Sequence, residues 1–247
     1  MIKEISYSIV IPAYNEKNNI RPTAEGILTS FHSMKSKLEI LFVDDNSPDG
    51  TAEEVNKLSL EYPQVKLIQH GKKEGIGAAH LAGYKSAKGE YILCMDADLS
   101  QSPNDLLLMK DELDNGYDLV IGSRYISGGQ QLGKSFFREI GSKGMNFICR
   151  FVLGTKLADC THTFRAFRKT IFEDISSKLD QKGHPNFQIQ FLFWVLQKGF
   201  KTVEIPIIFT ERDIEGSVSK ISVKKEVPSF LKFISKLMIK RISIGRN

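Results

Sequence analysis

YILCMDADLS, at residues 91–100, runs from an apolar segment of strand length into two carboxylates, Asp96 and Asp98. A continuous apolar run is typical of a parallel strand that is buried on both faces. Charged side chains are costly inside such a strand, so we expect both aspartates at its C-terminal end, where open α/β sheets bind ligands. Carboxylate oxygens suit Mg²⁺ or Mn²⁺, although an Asp-x-Asp pair also occurs in caps and turns.

Apolar strands alternate with helical segments along the first half of the chain. Strands are predicted at residues 6–11, 39–43, 65–68, 91–95 and 118–121, the first ending before Pro12. This alternation is typical of an α/β fold with a mainly parallel central sheet. Further along, we predict helices at 136–153 and 187–197, and a strand at 202–209 that contains Pro206 and is therefore an edge strand.

Composition limits the function classes. The 247 residues are 41% hydrophobic and 26% charged, as in ordinary globular proteins. Three cysteines without a Cys-x-x-Cys pair argue against a disulfide scaffold or a zinc knuckle and favour a reducing compartment. The N-terminal segment has no long apolar core and no run is long enough to span a bilayer, so we expect a cytoplasmic protein without a signal peptide.

Three acidic clusters follow predicted strands. Glu16 comes after the first strand, Asp44 and Asp45 after the second, and the opening pair after the fourth. The carboxyl ends of parallel strands share one edge of a sheet, so these carboxylates should converge there. Such crowding is stable only with a cation or with many hydrogen-bond donors. A divalent metal together with a ribose would supply both.

Basic residues appear later in the chain and would hold phosphates if they close over the same edge. They are Arg124, Arg138, Arg165, Arg168, Arg212 and Lys220. Carboxylates, a divalent metal and arginines around phosphates describe a nucleotide-diphosphate site. The glycine-rich segment at 71–79 matches neither a P-loop nor the dinucleotide fingerprint, which argues against an NAD-dependent oxidoreductase.

At residues 5–225 the chain resembles family 2 glycosyltransferases, and among them the dolichol-phosphate (polyprenyl-phosphate) mannosyltransferase group. The matching motifs are Pro12-Ala13-Tyr14-Asn15-Glu16, the segment from Val43-Asp44-Asp45 to Gly50-Thr51, Met95-Asp96-Ala97-Asp98-Leu99-Ser100 with Pro103, and Gly122-Ser123-Arg124-Tyr125 with Gly128-Gly129. Any one motif is modest evidence. All four in this order and at these spacings are a strong signal.

The resemblance implies a GT-A fold, a Rossmann-like sheet that binds nucleotide-diphosphate sugars, over residues 1–222. It implies roles for particular side chains. The base and ribose pocket would be lined by Pro12, Tyr14, Glu16, Val43, Asp45, Asp96 and Ala97. Asp98 would bind Mn²⁺ or Mg²⁺, with Ser100 at a position where some relatives have a further ligand. Arg124 and Arg138 would grip an acceptor phosphate, and Arg212 and Lys220 would close over the donor diphosphate.

The implied reaction moves mannose or glucose to a polyprenyl phosphate, by one displacement with inversion. Two alternatives stay open: transfer to a sugar hydroxyl during surface glycan synthesis, and a non-catalytic subunit that binds nucleotide sugars. Three departures from the relatives make mannose itself doubtful. Gln190 stands where relatives often have glutamate, the 212–220 loop is longer, and the 159–163 loop lacks a glycine.

The C-terminal segment is strongly basic. From Ser217 onward, eight Lys or Arg stand against one acid, Glu226. We predict a basic amphipathic helix over residues 223–247 that either lies in a membrane interface or packs on the core with a solvated basic face. The first alternative predicts peripheral attachment to the cytoplasmic leaflet of a membrane. A partner subunit that anchors the protein to the membrane is a further expectation. Nucleic acid is not an expected partner.

Overall fold

The computed structural model describes residues 5–133, 136–181, 183, 186–211 and 223–244. The predicted domain boundary at residue 222 therefore lies outside the described residues. Within them, no helix combines the length and the apolar character that a membrane crossing requires.

A seven-stranded sheet forms the centre of the molecule. Its strands, in the order in which they pair, are β3 (Val65–Gln69), β2 (Leu38–Asp44), β1 (Tyr7–Ala13), β4 (Tyr91–Cys94), β7 (Arg165–Arg168), β5 (Leu119–Ser123) and β8 (Thr202–Pro206). All neighbouring pairs are parallel except the two that include β7, which is antiparallel to both β4 and β5. The predicted mainly parallel α/β sheet is confirmed.

Helices cover both faces of this sheet. They are α1 (Lys17–Ser30), α2 (Thr51–Glu61), α3 (Ile76–Ser86), α4 (Asp105–Asp114), α5 (Phe136–Leu153), α6 (Lys169–Ile175), α7 (Phe187–Gln197) and α8 (Val223–Ile244). Helices α1, α2 and α4 contribute to the core on one face, and α3, α5, α6, α7 and α8 to the core on the other. Helix α3 approaches the sheet so closely at Gly83 that a Cβ there would collide with Val10.

Two predicted strand ends were wrong. Strand β1 continues through Pro12 to Ala13, because its pairing with β4 ends at Val10 and the missing proline donor falls beyond it. The strand predicted at 202–209 is two strands, since the chain leaves the edge strand β8 at Ile207 and pairs as β9 (Ile208–Thr210) with β6 (Gln130–Leu132). The predicted edge position of β8 is confirmed.

Candidate active site at the carboxyl edge of the sheet

Three loops at the carboxyl edge each contain one residue in the left-handed backbone region. Asn15 follows β1 at φ 61°, Asn46 follows β2 at φ 62°, and Leu99 follows β4 at φ 55°. Asparagine adopts this region more readily than other residues, whereas a bulky side chain such as Leu99 does so at a cost of about 1–3 kcal/mol. Such strain is typical of functional loops. Here it turns the chain directly after each strand.

Asp45, at the end of β2, holds the loop that leads into α3. Its carboxylate accepts backbone N–H groups from Glu74 at 2.8 Å and Gly75 at 2.7 Å, and lies 3.0 Å from His70 Nδ1. Burial alone would raise the pKa of Asp45, but these hydrogen bonds outweigh it and lower the pKa. Asp45 therefore stays ionised, and it ties the loops after β2 and β3 together.

Tyr14, in the loop after β1, lies beside the same segment. The ammonium group of Lys73 stands 3.4 Å from the centre of the Tyr14 ring, a close cation–π contact. Tyr14 is 36% exposed, so an open face of the ring borders solvent at this edge. Tyr14 and Asp45 thus both contact the segment at residues 73–75.

Asp96 lies at the centre of a small polar network after β4. Its carboxylate accepts hydrogen bonds from Gln101 Nε2 at 2.6 Å and from Thr163 Oγ1 at 3.1 Å. Burial and the charge of Asp98 raise the pKa of Asp96, although these donors and Arg124 oppose the rise. Burial also raises the pKa of Glu16, with contributions from Asp98 and Asp96. The predicted convergence of Glu16, Asp96 and Asp98 is therefore present.

Asp98 and Ser100 are the pair that fits a metal ion. The Asp98 carboxylate accepts the Ser100 N–H at 2.9 Å. The Ser100 side chain is buried, yet its hydroxyl oxygen has no hydrogen-bond partner in the described part of the chain. A buried oxygen without a partner beside a carboxylate is a donor set that Mg²⁺ or Mn²⁺ would accept. No cluster of three His, Cys, Asp or Glu ligands occurs among the described residues, so a substrate would have to complete the coordination.

Arg124 approaches the same edge from the end of β5. Its guanidinium binds Asp159 through two hydrogen bonds, reaches Gln131 at 3.4 Å and packs over the rings of Tyr125 and Phe209. Burial would lower the pKa of Arg124, but Asp159 outweighs it and raises the pKa. The charge of Asp96 contributes in the same direction.

A cavity of about 420 Å³ opens beside Arg124, between the loop after β5 and the start of α5. Its lining includes Gln131 and, from the first turns of α5, Glu139 and Lys143. Arg138 lies in the first turn of α5, but its side chain is not part of what the structure describes. Arg212 and Lys220 also lie outside the described residues.

Two of the predicted pocket residues are covered. Val43 and Ala97 are 0% and 3% exposed, so both residues are buried in this structure. The Ala97 carbonyl already accepts a 2.6 Å hydrogen bond from Thr23. Pro12, by contrast, is only partly buried.

Among the basic residues that would hold phosphates if they closed over the edge, two do not do so. Arg165 is fully buried and donates to the carbonyls of His162, Gln188 and Cys160. Arg168 pairs in register with Tyr91, at the opposite end of β4 from Asp96. For Arg168 the reason is the reversed direction of β7, which carries its C-terminal end away from the ligand-binding edge. Arg165 begins β7 opposite Cys94 at that edge, but its guanidinium is engaged by buried carbonyls.

Sequence reasoning missed Gln101, Thr163 and Asp159. Gln101 brackets Asp96 from both sides, because its Nε2 donates to the carboxylate while its Oε1 accepts the Asp96 N–H at 3.0 Å. Asp159 is held in turn by Glu204, which accepts the N–H groups of Ala158 and Asp159, each at 2.8 Å. The Asp159 and Thr163 contacts join loops that are far apart in sequence, so no local spacing indicates them. Gln101 lies in the same loop as Asp96, and its place after the Asp-x-Asp pair is a local signal that could have found it.

Comparisons with known proteins agree with this geometry. A family model described as Glycosyl transferase family 2 matches residues 8–176. The chain is 40% identical over 219 residues to a polyprenol monophosphomannose synthase of Mycolicibacterium smegmatis, covering 87% of this chain and 80% of that protein. It is 34% identical over 233 residues to a dolichol-phosphate mannosyltransferase of Pyrococcus furiosus, covering 94% of this chain and 63% of that protein.

A solved structure shares the fold. It is a mannosyltransferase of Pyrobaculum calidifontis in complex with GDP-Man and Mn²⁺, with a TM-score of 0.60 at 18% identity, covering 85% of this chain and 58% of that one. The family-model match over residues 8–176, the identity to the two relatives and the GT-A architecture lead to one assignment. The chain belongs to glycosyl transferase family 2 and is a glycosyltransferase.

Proposed function

We propose that this enzyme transfers a sugar from a nucleotide-diphosphate sugar to a polyprenyl phosphate. Mannose from GDP-mannose is the first candidate and glucose from UDP-glucose the second. The two relatives named above are called a polyprenol monophosphomannose synthase and a dolichol-phosphate mannosyltransferase, and both names describe transfer of this kind. The observation that carries the proposal is the buried Ser100 hydroxyl beside Asp98, at an edge where Asp96 and Glu16 also converge.

On the donor side, Tyr14 and Asp45 would receive the base and ribose, together with Pro12, Glu16, Val43, Asp96 and Ala97. Asp98 and Ser100 would hold Mn²⁺ or Mg²⁺. Such an ion, when bound, offsets the charge that develops on the leaving nucleoside diphosphate. Arg212 and Lys220 are proposed to cover the diphosphate from the late loop.

On the acceptor side, Arg124 and Arg138 would orient a phosphate at the cavity beside α5. A phosphate monoester is already largely ionised near neutral pH. It needs positioning and removal of water rather than a general base, which agrees with a site built from carboxylates and arginines. One displacement with inversion would give a β-linked product.

A polyprenyl phosphate is anchored in a bilayer, so the enzyme must work at its surface. We propose a peripheral position on the cytoplasmic face, with α8 as the segment that meets the membrane. A membrane-anchoring partner subunit is a further proposal of the same kind. The basic residues of α8 support the membrane position.

The decisive experiment measures thermal unfolding with GDP or UDP, with and without Mn²⁺, and then sugar transfer to a polyprenyl phosphate. We expect a metal-dependent rise in Tm with the preferred nucleotide, lost in Asp98→Ala. Asp111→Ala, which removes an exposed carboxylate from α4, is the matched control and should behave as the unmodified chain. A Tm response that survives Asp98→Ala unchanged would refute the metal role.

A further inference from the structure

A pocket of about 460 Å³ lies between α7 and α8, separate from the carboxyl edge. Its lining includes Lys232, Lys236 and Lys240 from one side of α8, and Asp180 and Gln190 from the segment at α7. Phe233 and Leu237 contribute apolar surface to it. The pocket is therefore basic with an apolar lining.

The three lysines repeat at intervals of four residues and so stand above one another on the helix. Within the described residues none of their ammonium groups forms an ion pair, and like charges at this spacing repel one another. Lys240 lies 4.4 Å from the centre of the Trp194 ring, and Lys178 lies 4.8 Å from the same ring. Trp194 thus holds two ammonium groups at the end of the pocket.

Gln190 leaves the net charge of the pocket positive, because its side chain is neutral. Its Oε1 accepts the Asp180 N–H at 3.0 Å, which orients the amide at the pocket. A glutamate at this position would place a second carboxylate beside the lysines. With glutamine here, three lysines face one aspartate in the pocket.

The other side of α8 is apolar and exposed. The buried stripe of α8 consists of Phe230, Ile234 and Leu237. At 3.6 residues per turn the lysines lie on one side of this stripe and Leu231, Met238 and Ile242 on the other. All three of these apolar residues are exposed.

Helix α5 also exposes apolar side chains. Phe147 and Phe151 are 70% and 68% exposed, and Ile140 is also exposed. Arg241 of α8 donates to the carbonyls of Phe151 and Val152, so the two helices are in contact at this end. We call the exposed apolar residues of both helices the α5–α8 ridge; its members are Ile140, Phe147, Phe151, Leu231, Met238 and Ile242.

We propose that the α5–α8 ridge docks on an anionic bilayer and that the lysine pocket takes phosphate headgroups of that bilayer. Exposed aromatic and aliphatic side chains on one flank and unpaired lysines on the other are the composition of an interfacial surface. Free phosphate would satisfy the lysines but leave the ridge without a role. This inference rests on the proposed membrane position, and not on the transfer reaction.

The test is co-sedimentation of the full chain, without nucleotide sugar, with vesicles of phosphatidylcholine alone or with phosphatidylglycerol. We expect binding only with phosphatidylglycerol. Lys232→Gln and Lys236→Gln should each lower the partition coefficient roughly fivefold, the effect of one charge at an anionic surface. Gln190→Glu should lower it similarly. Lys88→Gln, an exposed lysine on the loop before β4, is the charge-matched control and should change little.

A separate variant tests the ridge. Phe147→Ser should weaken binding at both low and high salt, whereas the lysine variants should matter only at low salt, because salt screens exposed charges. Circular dichroism establishes that each variant is folded. Any of three results would overturn the proposal. The chain could bind neutral vesicles as well as anionic ones, or the lysine variants could bind as the unmodified chain does. The control Lys88→Gln could also bind as weakly as the lysine variants.

A third arm uses inorganic phosphate. If phosphate binds at these lysines while the vesicles do not bind, the lipid assignment is wrong. Transfer to a short-chain polyprenyl phosphate in detergent is measured in parallel. Transfer without vesicle binding would refute only this inference, and vesicle binding without transfer would refute only the proposed reaction.

Discussion

Arg124 and Asp159 form a two-point ion pair, with Nε to Oδ2 at 2.7 Å and Nη2 to Oδ1 at 2.9 Å. The Asp159 side chain is fully buried and that of Arg124 is 10% exposed. The pair fixes the guanidinium in one orientation beside the cavity at α5. Asp159 therefore acts as a positioning residue for the arginine that we propose to meet the acceptor phosphate.

Asp159→Asn keeps the volume and removes the charge. Loss of one partner from a buried ion pair costs about 3–5 kcal/mol, so we expect urea unfolding at neutral pH to show a loss of that order. The initial rate of sugar transfer should fall as well, because Arg124 loses its fixed orientation. Glu90→Gln, which removes the exposed partner of Arg168, is the control and should cost about 1 kcal/mol or less.

The same variant has a defined pH dependence. Burial would raise the pKa of Asp159, but Arg124 and the charge of His162 outweigh it and lower the pKa. A carboxyl with a depressed pKa stabilises the fold above its unfolded pKa, about 3.9 for aspartate, and loses that contribution as the pH falls toward the folded value. The stability difference between the two proteins should therefore shrink below about pH 4. If the difference in unfolding free energy between the two proteins stayed constant below about pH 4, the Asp159 charge would not be its origin.

Ser100→Ala should have opposite effects on stability and on metal binding. The buried Ser100 hydroxyl has no partner among the described residues, and such a group costs about 1–3 kcal/mol. Its removal should raise the unfolding free energy of the metal-free protein. Mn²⁺ affinity in the presence of nucleotide, measured by titration calorimetry, should fall. A variant that is less stable and binds Mn²⁺ as tightly as before would exclude Ser100 from the metal site.

The sequence was sufficient for the sheet and for the edge where the carboxylates meet. Apolar strand length, turn residues and acidic loop starts are local signals, and Glu16, Asp96 and Asp98 converge as predicted. The direction of β7 was not predictable, because a four-residue strand carries no signal for parallel or antiparallel pairing. That direction decides where Arg165 and Arg168 lie. The Asp159 and Thr163 contacts were missed for a similar reason, since they depend on how loops meet in three dimensions.

Arg165→Lys tests the structural role that the fold gives to this residue. The guanidinium makes three hydrogen bonds of 2.7–2.8 Å to carbonyls in a fully buried position. A lysine ammonium does not reproduce the planar fork, so buried carbonyls would lose their donors. We expect a loss of several kcal/mol in urea unfolding, while nucleotide affinity of the folded fraction stays unchanged. Loss of nucleotide affinity with unchanged stability would restore the original phosphate-binding prediction.

His80 should make the fold sensitive to mild acid. It lies buried on α3, stacked on Phe187 with ring centres 6.3 Å apart, and neither ring nitrogen has a hydrogen-bond partner in the described part of the chain. Burial, with a smaller contribution from the charge of Arg165, lowers the pKa of His80 to about 3. A neutral buried histidine contributes its full stability above the unfolded pKa of about 6.5. That contribution is lost as the pH falls below it.

The loss amounts to about 1.4 kcal/mol per pH unit below 6.5, or about 2 kcal/mol by pH 5. In His80→Leu the imidazole is absent, so this part of the pH dependence should disappear. Removal of two buried nitrogens without partners should also raise stability at pH 7.5. Urea unfolding of both proteins at pH 7.5 and pH 5 measures both effects. Parallel stability profiles for the two proteins would show that His80 takes up its proton within the fold.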